Sequence, residues 1–145
     1  MSHWRNPVRL SGNMPLAKIH GSISWDLTGK YTDGRRGLTG NALIVAPTPE
    51  KMPPEALRNT WELAETILMK SRSLIIFGFA FNPYDGEVMN LLKKSNHNIE
   101  NILLIDIDPK IDRANELWPN ARITPCLPPT EGDLKIEKWL KEIQG

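Results

Sequence analysis

The chain has 145 residues, of which 40% are hydrophobic and 24% charged, with 18 Lys and Arg against 17 Asp and Glu. These proportions suit one ordinary globular domain, able to bury about 68–70% of its unfolded surface, and exclude a disordered or fibrous class. A formal charge of +1 gives no electrostatic reason to expect nucleic acid or an anionic membrane as partner.

Cys126 is the sole cysteine, which excludes an internal disulfide and any multi-cysteine zinc site and fits a reducing compartment. No apolar run approaches the roughly 18 residues of a membrane span. The opening MSHWRNPVRL has no signal-peptide core, so a cytoplasmic protein is expected.

Along the chain, residues 1–15 carry prolines, a glycine and scattered basic groups without apolar period, and read as a flexible arm. An α/β domain over residues 16–145 follows. Leu16–His20 alternates like a short strand, and Ile23–Leu27 continues it across a tight break at Gly21 and Ser22. Residues 28–41 hold four glycines and no period, hence a surface loop. The unalternating run Ala42–Ala46, stopped by Pro47-Thr48-Pro49, suits a parallel strand covered on both faces.

From Glu55 to Lys70 the apolar residues Leu57, Trp61, Ala64, Ile67 and Leu68 keep helical spacing, with Pro53 and Pro54 as a start signal. Leu74–Phe77 and Ile102–Ile105 are buried-type strands. Between them Asn82-Pro83 reads as cap and first residue of a helix that turns Val88, Met89, Leu91 and Leu92 inward. Asp108-Pro109 repeats that signal before Ile111, Ala114, Leu117 and Trp118. Arg122–Pro125 is a last short strand. A helical tail beginning near Thr130 carries Leu134, Ile136, Trp139, Leu140 and Ile143 on mostly one face.

This alternation predicts a three-layer, Rossmann-like α/β sandwich with a mainly parallel sheet and right-handed crossovers. Ligands in such folds bind at the carboxyl ends of strands, where His20-Gly21-Ser22, Pro47-Thr48, Gly78-Phe79 and Asp106 are expected. An imidazole at His20 can take a proton from a sugar hydroxyl near neutral pH, or simply satisfy neighbouring backbone. Gly78 allows close backbone approach of a phosphate or ribose, or makes only a strand-to-helix turn. Asp106 can accept hydrogen bonds from ribose hydroxyls. Asp108 is equally a helix cap. Asp85 compensates a helix start or faces a ligand, and Lys51 reaches a phosphate or only solvent. Trp61, Trp118 and Trp139 are core candidates. Trp25 walls a pocket or packs, and Cys126 is structural.

Leu16-Ala17-Lys18-Ile19-His20-Gly21-Ser22-Ile23-Ser24-Trp25 resembles the K-(L/I)-H-G-S-x-x-W signature of the sirtuin-like, or silent-information-regulator-like, domains of bacteria. The likeness runs over roughly residues 16–125, through a Pro-Thr turn with a lysine, a Trp-bearing helix, a strand ending in Gly78, Asp85 before a helix, and an acidic strand end. It implies that His20 is the base acting on the nicotinamide ribose of NAD. It also implies NAD contacts at Gly21, Ser22, Gly78, Phe79, Asp106 and, with the cap reading beside it, Asp108. Related bacterial domains cleave NAD in antiphage defence. Deacylating sirtuins bind zinc through four cysteines, so a chain with Cys126 alone points to a branch without zinc.

Two departures accompany the likeness. Gly78-Phe79-Ala80 replaces the usual G-x-S, removing a hydroxyl contact to NAD. Only 19 residues precede His20, where the family carries a glycine-rich NAD turn and a catalytic asparagine. The resemblance therefore implies the carboxyl-terminal portion of an NAD-cleaving domain, inactive or nearly so alone. Uncovered strand edges should promote self-association or pairing with an amino-terminal half. The alternative expectation is a non-catalytic α/β module that binds a nucleotide or a partner protein.

Overall fold

A computed structural model describes residues 8–10, 14–26, 42–44, 55–128 and 132–144. The predicted loop at 28–41, the turn at Pro47-Thr48-Pro49, Lys51 and the Pro53-Pro54 start signal lie outside the described residues. The chain divides into two compact units, Met1–Ile67 and Leu68–Gly145.

In Met1–Ile67, β1 (Val8–Leu10) pairs antiparallel with β2 (Met14–Leu16), Val8 opposite Leu16. Val8–Leu10, predicted as part of an arm, is thus a strand. Three-residue strands are too short to show a period. The strand predicted at Leu16–His20 stops at Leu16, and Ile19-His20 forms a turn. The next strand, β3 (Gly21–Asp26), begins at Gly21 itself. The break therefore falls before Gly21, because Gly21 and Ser22 are held extended opposite Ile44 and Leu43 of β4 (Ala42–Ile44).

That pairing also corrects the expectation for Ala42–Ala46. Its Ala42–Ile44 part is antiparallel to β3 in a separate two-stranded sheet, and Ile44 is 60% exposed. An apolar run signals strand geometry but does not name its partner. A single 3-10 turn, Glu55–Leu57, leads into helix α1 (Arg58–Lys70). Leu57 is fully buried.

Leu68–Gly145 is an α/β unit in which β5 (Ser73–Phe77), β6 (Asn101–Ile105) and β7 (Arg122–Cys126) form a parallel sheet in the order β5-β6-β7. Helices α2 (Gly86–Lys94) and α3 (Ile111–Leu117) connect successive strands, and α4 (Gly132–Gln144) follows the last. The side-chain period of two sends alternate residues of β6 to opposite faces. Ile102 and Leu104 join Ile99, Ala114, Leu117 and Trp118, with Met89 and Leu92 against them. Leu103 and Ile105 join Cys126 and Trp139, with Ile136, Leu140 and Ile143 against them.

Both crossover helices thus cover one face and α4 the other, a layering compatible with a Rossmann-like arrangement. All four of Ile102–Ile105 are no more than 3% exposed, as expected for a central strand covered on both sides. Pro125 interrupts β7 without harm, because an edge strand can spare one ladder donor. Trp118, Trp139 and Cys126 are buried as expected. Ile111 is 39% exposed, since it opens the first turn of a seven-residue helix whose buried positions are Ala114 and Leu117.

Candidate functional site

The candidate residues fall in two places. The first is the turn that carries His20 in Met1–Ile67. His20 is half-buried there. Trp61 on α1 donates its indole Nε1–H to the backbone oxygen of Ile19 at 2.9 Å. The Trp61 and His20 rings meet edge to face, with centroids 6.5 Å apart at an interplanar angle of 84°. His20-Gly21-Ser22 therefore occupies the start of a strand and not, as predicted, a carboxyl end. The Ser22 and Trp25 side chains lie outside the described residues.

The second place is the row of carboxyl ends in Leu68–Gly145. Phe77, Ile105 and Cys126 are register partners across the three strands. The ladder continues one step further, with Gly78 N–H donating to the Ile105 carbonyl at 2.9 Å and Asp106 N–H to the Cys126 carbonyl at 3.1 Å. Gly78 and Asp106, both predicted at strand carboxyl ends, thus leave adjacent strands side by side. Gly78 has φ +62°, and a Cβ built there would meet no atom within 4 Å. Glycine suits the left-handed backbone at this position, while the space around it is open.

Phe79, a predicted cofactor contact, is half-buried and packs against the core cluster. Its ring lies edge to face with Phe81 at 4.9 Å, and Phe81 in turn meets Trp118 at 6.4 Å. An aromatic side chain gains more from this apolar cluster than from the solvent side of the loop. Phe81 is 2% exposed and adopts φ +52°, a conformation costly for a bulky residue and maintained here by surrounding packing.

The Asp106 carboxylate accepts the Asp108 N–H at 3.0 Å. Asp108 forms an ion pair with Lys110. Lys110 occupies the cap position of α3, so the cap predicted at Asp108 is displaced by the turn that Asp106 closes. The other predicted helix start shifts in the same way. Asn82 accepts the Tyr84 N–H at 3.0 Å, and α2 begins at Gly86 with Asp85 in the cap position. Both are side-chain turns in which Asn or Asp bonds the backbone two residues on. Asp85 is 9% exposed, and its side chain makes no capping hydrogen bond.

Sequence reasoning missed two exposed apolar groups in the segments that follow β5 and β6. Ile107, between the two aspartates, is 83% exposed, and Tyr84 is 67% exposed. The signal was present in Ile105-Asp106-Ile107-Asp108, where the alternation outlasts the strand. Among the described residues no group of three His, Cys, Asp or Glu gathers as a metal site, and no helix is long and apolar enough to cross a membrane. Comparison with protein families, curated proteins and solved structures returns no match.

Proposed function

We propose that the chain contributes the histidine part of a sirtuin-like NAD site, in which the nicotinamide–ribose bond is hydrolysed. In this reading NAD and water yield ADP-ribose and nicotinamide, with His20 taking a proton from a ribose hydroxyl. Gly78 and Asp106 bind the nucleotide, Gly78 by close backbone approach and Asp106 by accepting a ribose hydroxyl. Gly21, Ser22 and Asp108 are lesser contacts, and Phe79 contributes backbone alone. NAD depletion in antiphage defence is the biological setting that the same likeness suggests.

The observation that carries this reading is the side-by-side exit of Gly78 and Asp106 from adjacent parallel strands. Calorimetry with ADP-ribose and NAD tests it. Asp106→Asn keeps an oxygen for the Asp108 N–H while removing the charge, and should weaken ADP-ribose binding about tenfold, or about 1.4 kcal/mol. Absence of binding by the unaltered chain would sink the proposal. Nicotinamide release that His20→Ala abolishes would support His20 as the base, and release that His20→Ala leaves unchanged would remove it from that role.

A second reading, a non-catalytic nucleotide-binding module, is favoured by the position of His20-Gly21-Ser22 at the start of β3. Binding of ADP-ribose with no nicotinamide release, even after an amino-terminal half of a sirtuin-like domain is added, would select it.

Self-association with a second copy belongs to the same proposal. Ile75 and Phe77 of edge strand β5 are 47% and 71% exposed, on the face that α4 covers over β6. The strand Ser-Leu-Ile-Ile-Phe has none of the charges or prolines that protect edges.

A further inference from the structure

We infer that Trp61 is the positioning residue of His20. The inference rests on the reading that His20 acts on a ribose, but its geometry stands independently within Met1–Ile67. The carbonyl of Ile19 and the N–H of His20 belong to one planar peptide unit. The 2.9 Å hydrogen bond from Trp61 Nε1 to the Ile19 oxygen therefore orients the plane from which the His20 Cα departs. That carbonyl lies in a turn, outside the β3–β4 ladder, so a side-chain donor takes the place of a strand partner.

The same indole then meets the imidazole edge to face at 6.5 Å, within the range of favourable aromatic pairs. One side chain thus restrains both the backbone and the ring of His20. Trp61 lies 42 residues further along the chain, on the face of α1 where its apolar spacing places it. A half-buried tryptophan could satisfy its N–H with water. Spending that donor on the peptide before His20 is what distinguishes Trp61 from a residue that only packs.

Nuclear magnetic resonance of the full chain with labelled histidine tests this directly, with His20→Gln to assign the signal. The unaltered protein should show a nuclear Overhauser contact between the two rings. Trp61→Phe, which keeps a ring and loses the donor, should move the His20 imidazole resonances. Trp61→Leu should move them further, with the circular dichroism of the folded chain retained. In an NAD-cleaving assembly completed by an amino-terminal half, Trp61→Phe should lower kcat about tenfold to a hundredfold with KM little changed, as misplacement of a reacting group does.

Absence of the ring contact, or His20 resonances in both variants superimposable on the original, overturns the inference. Altered resonances in a chain that neither binds nor cleaves NAD would uphold the positioning role and sink the ribose reading, so the two failures are distinguishable.

Discussion

Met1–Ile67 and Leu68–Gly145 are held together differently. In Leu68–Gly145 three five-residue strands run parallel in unbroken register, and β6 is buried on both faces by separate clusters. In Met1–Ile67 the described strands form two antiparallel pairs, one with a register irregularity between Ser22 and Asp26. Among the described side chains there, Leu57 is the one that is fully buried. Burial of apolar area is the main stabilising term, and among the described residues of Leu68–Gly145 the clusters on the two faces of β6 supply it.

Four substitutions break or sharpen this comparison. Trp118→Ala has the largest expected effect. It empties the centre of the α2–α3 face, where Trp118 is wholly buried, and should cost about 3–5 kcal/mol in urea unfolding of the full chain followed by circular dichroism. Gly78→Ala should cost about 1–2 kcal/mol through the left-handed backbone alone, because the surrounding space is open. A neutral result would mean that the loop after β5 relaxes freely.

Trp61→Leu should cost about 1 kcal/mol, the scale of one hydrogen bond. If it destabilised the chain as much as Trp118→Ala, the two units would unfold as one and the contrast would fail. The smallest effect on stability belongs to Phe77→Lys, within about 0.5 kcal/mol as for other exposed positions. The same change should reduce self-association in sedimentation velocity. An unchanged distribution would remove β5 as the contact.

Much of Leu68–Gly145 was readable from residues. Leu74–Phe77, Ile102–Ile105 and Arg122–Pro125 are strands to within a residue at either end, and Ile136, Trp139, Leu140 and Ile143 do line one face of a helix. Strong apolar period over local stretches carries that information. The helix starts were less readable, because Asn82 and Asp106 close side-chain turns ahead of the helices, and the same residue types signal caps and turns alike. Of the candidate site, the placement of Gly78 and Asp106 at strand carboxyl ends was legible in the sequence, while the pairing of their strands came from the tertiary structure. The surroundings of His20 did not, since Trp61 is distant along the chain and its helical spacing announced only a core face.

What the sequence determined by itself was local: which stretches are apolar enough to be strands or helices, and which polar residues interrupt them. Only the tertiary structure decided that Ala42–Ile44 joins β3 in antiparallel fashion, that Phe79 turns to the core, and that Trp61 holds the peptide of His20. Periodicity reports how much of a segment is to be buried. The partner that buries it depends on long-range pairing, which no single stretch of sequence encodes.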